Sequence, residues 1–421
     1  MHLADVPLLL MFVGLTAYAV LGGADFGAGF WSLRAGGRRG ETLRDHAHHA
    51  MGPVWEANHV WLIFVLVICW TAYPTAFGSI MSTLAVPLFI AGVGIILRGT
   101  AYAIRVGTAT AGEQRAVDVV FALSSILAPF ALGASIGAIA SGRVPVGNAK
   151  GDLFSSWLNP TSVLAGVLAV AAAAYLAAVY LAADATRMGL PDIARAFRDR
   201  ALVTGVVAGG VALAGLGVLH GDARPIWDGL TSGAGIGAVV VSALAGVSTL
   251  WLVWRERFEP ARATAALAVA SIVAGWALAQ RPDLLPGLTI AEAAAGRSTL
   301  IAVVIAAGIG AVVLVPSLVL LYGLLLRGQF EAEPAEPERA MEGRPTADQP
   351  GRSRLAPIAA GLLVAGAILT VFFDSPLSIA LGIVSLLGFV GCGFLLLNTP
   401  TELDKVCANR TPPVASRSVE G

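Results

Sequence analysis

Apolar runs long enough to cross a bilayer recur along this chain, and no other feature constrains its fold as much. Crossing about 30 Å of hydrocarbon at the helical rise takes about 20 residues. Eleven segments approach or exceed that length: 7–33, 54–74, 79–104, 117–141, 161–182, 201–219, 232–254, 263–279, 299–325, 355–373 and 376–398. Backbone groups in lipid must be satisfied within the spanning segment, so these runs read as helices, and nothing reads as strand. Of the 421 residues 57% are hydrophobic and 13% charged, too little polar surface for a soluble chain. The expected fold is therefore all-α, a polytopic membrane helical bundle. Formal net charge is zero, which gives no pull toward nucleic acid. The first run, Pro7 to Leu33, has no basic leader and is too long for a signal segment, so it reads as a retained span.

Basic residues orient the spans. Alternate loops and the tail, beginning with 34–53, carry 21 Lys and Arg, whereas the opposing loops carry 5. By the positive-inside rule the N-terminus lies outside and the C-terminus in the cytoplasm of a multi-pass plasma-membrane protein. The segment 328–354, rich in Pro, Glu and Arg, reads as a flexible cytoplasmic linker. It separates a body, 1–327, from a transmembrane hairpin, 355–398, whose spans are joined only through Asp374 and Ser375; 399–421 is a cytoplasmic tail. Asp283–Gly296 reads as a short interfacial helix capped at Thr289, and Pro87 and Pro316 as possible kink points within spans.

Ionisable residues inside spans are the most informative, because each costs about 2.5–3.5 kcal/mol on insertion scales and needs a partner, water or a purpose. Asp25 lies nine residues before Arg34, about 13 Å above the cytoplasmic surface, and Arg98 lies seven residues before Arg105, about 10 Å above it. Glu56 opens the second span from the same side. Three helices thus bring two carboxylates and one guanidinium to similar depth. Two readings stay open from these residues: a structural ion pair that pins helices together, and a proton-conducting site in which carboxylates compete for one arginine. Gly23 and Gly27 bracket Asp25 at small-xxx-small spacing, which lets another helix approach closely.

Metal and haem ligands are not evident. The histidines do not match in depth: His46, His48 and His49 fall in the first cytoplasmic loop and read as solvated, His59 lies in the second span and His220 at the far end of the sixth. Three cysteines without a C-x-x-C pair suggest neither a disulfide framework nor a metal site. The expectation is no metal ligated by this chain.

The residues that carry the charge argument also carry a family likeness. Gly52-Pro53-Val54-Trp55-Glu56-Ala57-Asn58-His59-Val60-Trp61-Leu62-Ile63 resembles the G-P-x-W-[DE]-G-N-x-V-W-L-I signature of cytochrome bd quinol oxidase subunit II. Gly23-Ala24-Asp25-Phe26-Gly27-Ala28-Gly29 is similar to D-G-F-D-x-G-x-G, and Ile96-Leu97-Arg98-Gly99-Thr100-Ala101-Tyr102-Ala103-Ile104-Arg105 to L-R-G-x-[AG]-F-[DE]-[FY]-R. Pro282-Asp283-Leu284-Leu285-Pro286, Pro316 and Tyr322-Gly323 echo the family's last third, so the likeness covers 1–327.

That resemblance implies a nine-helix fold of two four-helix bundles plus one helix, followed here by the extra hairpin. It implies a haem-bearing partner, subunit I, holding haem b and haem d, with none ligated by this chain. Quinol is then the substrate, membrane lipid the surround, and a bound quinone and a small accessory subunit further companions. Asp25 and Glu56 would belong to a cytoplasmic proton pathway, with Arg98 as charge partner. Trp55, Asn58 and Trp61 would pack the interface near the haems. Gly22 and Ala103 stand where the family pattern has acids. Two other classes are weighed: a divergent assembly subunit without a proton path, and a proton-coupled transporter, whose signature would be matched discontinuous helices around a midplane site.

Overall fold

The computed structural model describes residues 2–33, 46, 55–105, 111–326, 352–371 and 375–398. Helix α1 spans Asp5–Leu33, and α2 Trp55–Ala72. Then follow α3 (Pro74–Thr83), α4 (Ala85–Arg105), α5 (Ala111–Ala140), α6 (Pro160–Arg187), α7 (Pro191–Asp222), α8 (Arg224–Leu230), α9 (Gly233–Trp254) and α10 (Phe258–Gln280). A short ribbon, β1 (Asp283–Leu285) and β2 (Leu288–Thr289), leads into α11 (Ile290–Ala293) and α12 (Arg297–Leu326). Helices α13 (Arg352–Val371) and α14 (Pro376–Asn398) close the described chain. Among the described residues eight helices are long and apolar enough to cross a membrane, and Asn58–Ala72, Pro357–Gly366 and Ala380–Phe389 form shorter apolar helices. This is a membrane protein.

The chain divides into two compact units, Met1–Phe330 and Glu331–Gly421. In the first, α6 is the axis: from Ala173 to Ala183 every residue except Tyr180 is buried, as expected of a helix packed on all sides. It contacts α1, α5, α7 and α10, and α6, α7, α9 and α10 close into a four-helix ring. On its other side α1 contacts α2 and α5, and α5 contacts α4. Small residues permit these approaches. A Cβ on Gly133 would meet the Ala165 carbonyl at 2.7 Å, and one on Gly166 would meet the Phe130 carbonyl at 2.8 Å, so α5 and α6 touch almost backbone to backbone. Helix α12 touches α1 and α2 only lightly, and its apolar stretch is unburied within the chain. In the second unit α13 and α14 pack together, with Gly388 against Leu362 and Gly366 against Leu386.

Local departures from the sequence reading have identifiable causes. The third span is two helices that break at Leu84, where the hydroxyls of Ser79 and Ser82 accept from the Gly147 and Ala149 amides of a facing loop at 2.9 Å each. Pro87 therefore sits in the first turn of α4, where a missing N–H leaves no gap and no kink follows. Asp283–Gly296 is helical only over Ile290–Ala293. Pro286-Gly287, with Gly287 at φ +71°, makes a turn, so Asp283 pairs with Thr289 and Leu285 with Leu288 in an antiparallel ribbon. Thr289 does cap α11, in a reciprocal capping box with Glu292.

Candidate functional site

The lower half of α1, Gly23–Leu33, is wedged between α5 and α6, and this wedge creates the site. A Cβ on Gly27 would collide with the Ala173 carbonyl of α6, and one on Gly29 with the Ser125 hydroxyl of α5. Gly23 differs: its nearest neighbour would be Leu176 Cδ1 at 3.5 Å, an ordinary contact. The tight pair is thus Gly27 and Gly29, each facing a different helix, rather than Gly23 and Gly27.

Between those glycines and α4 lies the charge cluster. Asp25 is 0% and Arg98 4% exposed. Arg98 Nη1 donates to Asp25 Oδ2, Nη2 donates to Oδ1 at 2.8 Å and to the Asp25 backbone carbonyl at 2.9 Å, and Nε donates to Ser125 Oγ at 3.0 Å. Ser125 in turn donates to the Phe121 carbonyl at 2.6 Å. The guanidinium carbon lies over two aromatic rings, Phe26 at 5.0 Å and Phe121 at 4.7 Å. A buried pair survives only when every polar group is engaged, and here all three guanidinium nitrogens donate. Chemically the arrangement is a neutral, fork-on-fork lock among α1, α4 and α5, with both carboxylate oxygens committed.

Immediately above, α1 is π-helical from Tyr18 to Gly22. Such single-turn insertions widen the hydrogen-bond ladder and recur at functional sites. Asn58, 1% exposed on α2, donates to the Leu21 carbonyl in that turn at 3.3 Å, so it lies inside this chain against α1. Trp61 is half-buried and packs on the cluster formed by Tyr18, Phe26, Ala128 and Ala173. Trp55 and Glu56 are the first two residues of α2, but their side chains lie outside the described residues. His59 sits edge-on to both Tyr18 and Phe26, with ring centroids 6.0 Å apart in each case.

Sequence reasoning found Asp25 and Arg98 from their depth, but missed Ser125, Phe26, Phe121 and Tyr18. The adjacent hydroxyls Ser124-Ser125 within an apolar span were a usable signal; the ring positions had none. His46 was read as solvated, yet it is 6% exposed, with Nε2 3.2 Å from the Leu181 carbonyl and its ring beside Phe197. His48 and His49 lie outside the described residues. Among the described residues no group of three His, Cys, Asp or Glu is placed to hold a metal.

Comparison with known proteins fits this architecture. The family model described as cytochrome bd terminal oxidase subunit II matches residues 3–325. A putative cytochrome bd menaquinol oxidase subunit II of Bacillus subtilis is 23% identical over 215 residues, 51% of this chain and 61% of the relative. The cytochrome bd-I ubiquinol oxidase subunit 2 of Escherichia coli K12 is 27% identical over 180 residues, 41% of this chain and 46% of that one. The chain thus spans about half the length of the curated relatives it matches. A chain in the structure of bd oxidase from Geobacillus thermodenitrificans superposes with TM-score 0.61 at 25% identity, covering 78% of this chain and 99% of that chain. With a family match over residues 3–325, which include the site, this protein belongs to the cytochrome bd terminal oxidase subunit II family.

Proposed function

We propose that this chain is the haem-free subunit of a two-subunit quinol oxidase that reduces oxygen to water, and that it lies in the plasma membrane with its N-terminus outside. The observation that carries the reading is the fold match over nearly all of a bd oxidase chain, with a dry Asp25–Arg98 lock at the junction of three helices. The haems belong to the partner, subunit I. The described histidines here do not fit one: His2 is exposed near the N-terminus, His46 abuts a backbone carbonyl, His59 packs among Tyr18 and Phe26, and His220 lies beside Arg224 and Trp227 at the far end of α7. When bound in the partner, haem supplies the electron transfer and oxygen chemistry; this chain supplies packing and protons.

Protons enter from the cytoplasmic side at Glu56, and Asp25, tied on both oxygens, sets the local field for that route. Quinol is the substrate class, since the two relatives are named for different quinols. The transporter reading has no matched pair of broken helices in its favour among the described residues: α1 carries a π turn, and the α3–α4 break lies at the opposite end of the body from Asp25.

Purification of the tagged protein from its native membrane tests the assignment. The expected result is co-purification of a haem-bearing membrane partner showing a reduced haem d band and quinol-dependent oxygen consumption. A colourless, partner-free preparation would overturn it. Within that complex Glu56→Gln should slow oxygen consumption while the haem spectrum persists; unchanged turnover would leave the subunit a purely structural role.

A further inference from the structure

The proton route proposed above needs carriers beyond its entry, and Asp25 is a poor one, because Arg98 holds both of its carboxylate oxygens. Tyr18 is the better placed group. It lies seven residues before Asp25, about 10 Å further toward the membrane middle at helical rise. Its side chain is buried, the residue being 6% exposed, and its hydroxyl has no hydrogen-bond partner among the described residues. A buried hydroxyl left without a partner in an apolar surround is costly, so such groups in native proteins usually mark water or a working proton. Three further observations surround it. The ring of His59, whose imidazole can both donate and accept a proton, lies edge-on at 6.0 Å. The buried Asp25–Arg98 ion pair lies next along the same helix. The π turn begins at Tyr18 itself and is held by the Asn58 side chain on Leu21.

We infer that Tyr18 is a proton way station: its hydroxyl holds a buried water and passes protons between that water and the His59 side of the cluster. The inference rests on the oxidase reading. In each transfer the phenolic oxygen accepts a proton from the water as its own proton passes to the His59 imidazole, so the phenol is neutral before and after, the water is left as hydroxide, and His59 hands its extra proton on toward the site of oxygen reduction. The spent water is reprotonated from the cytoplasmic side. The π turn serves this by setting the Tyr18 ring against His59 and Phe26, and Asn58 is the residue that positions it.

The test uses the purified complex and compares oxygen consumption in H2O and D2O. Tyr18→Phe keeps the ring and removes only the hydroxyl. Its complex should keep its full haem content, lose turnover by about tenfold and show a larger solvent isotope effect. The loss is smaller than the roughly 10²–10⁴ of positioned acid–base catalysis because water partly fills the gap. Difluorotyrosine incorporated at position 18 has almost the same size and a more acidic hydroxyl, so it should change turnover with no change in haem content. A hydroxyl that only packs does not respond to acidity. Unchanged turnover and isotope effect in a fully haem-loaded Tyr18→Phe complex would overturn the inference. Should that variant lose haem, the difluorotyrosine protein decides, and unchanged turnover there overturns it too. A wild-type preparation without haem or oxygen consumption instead defeats the oxidase reading beneath.

Discussion

Two Arg–Asp pairs hold this bundle together at its opposite ends, and they are built from the same chemistry in different surroundings. Arg98–Asp25 has side-chain exposures of 5% and 1%; Arg143–Asp222 has 32% and 18%. Each is a two-pronged contact that ties three elements. The second runs from Arg143 after α5 to Asp222 at the end of α7, at 2.6 and 3.1 Å, and Asp222 also accepts from the Thr161 hydroxyl and amide at the start of α6. The buried pair must be complete, because no solvent can replace a missing partner. The half-wet pair can be dismantled piecemeal, because water takes up what a lost side chain leaves. Exposure therefore decides the role more than geometry does.

The sharpest break in this comparison is Arg98→Met, with the largest expected effect. It leaves Asp25 as an unpaired carboxylate in a dry site, at a cost of about 3–5 kcal/mol. The subunit should fail to accumulate in membranes or to carry its partner subunit with it, as immunoblots for the two would show. Adding Asp25→Leu to Arg98→Met should restore accumulation, since an apolar pair of similar volume needs no partners. A single Arg98→Met variant that assembles normally would mean that water reaches the site and that it resembles the Arg143 end.

A smaller effect is expected behind the buried pair, at the α1–α6 contact. Gly27→Val must push against the Ala173 carbonyl and, at 2.7 Å, against the Ala177 methyl, so α1 has to move away from α6. Overpacking of this kind costs about 1–3 kcal/mol and should lower the melting temperature of the solubilised complex. Gly23→Ala, with nothing nearer than 3.5 Å, is the matched control and should melt as wild type. Equal losses in the two would show that the helix contact is looser than the glycine geometry requires.

These contrasts show what was readable in the sequence. Most span positions were legible because apolar runs and helical rise set them almost alone: eight of the eleven expected spans coincide with described helices long and apolar enough to cross a membrane. Depth placed Asp25 and Arg98 in one cluster, with Glu56 the other candidate partner for the arginine. Side-chain direction was less legible. Asn58 reads as an interface residue in its Trp-acid-x-Asn setting, yet it turns inward to a π turn that no period reveals. Gly23 and Gly27 match a spacing rule, but which glycine meets a backbone depends on how α1 is rotated, and the π insertion changes that rotation. The ribbon at Asp283–Thr289 was hidden for another reason: five residues of strand pairing leave no periodic trace, and only Pro286-Gly287 marked a turn. Arg143, just after α5, and Asp222, the last residue of α7, are 79 residues apart in sequence, where neither depth nor pattern could join them.

The smallest effect belongs to that outer pair, and it tests the comparison from its weaker side. Arg143→Ala removes one partner, but Asp222 keeps both bonds from Thr161 and remains partly solvated. The expected loss is about 0.5–1 kcal/mol, visible as a slight fall in melting temperature with turnover unchanged. Salt should mimic it: raising ionic strength to about 1 M shortens the screening length to about 3 Å and should narrow the gap between variant and wild type, while leaving the Arg98 effect untouched. A loss at Arg143 as large as that at Arg98 would mean that the Arg143 end is as dry as the Arg98 end. Burial in the isolated chain would then be a poor guide to burial in the assembled membrane complex, and the difference between the two pairs would have to come from what covers them there.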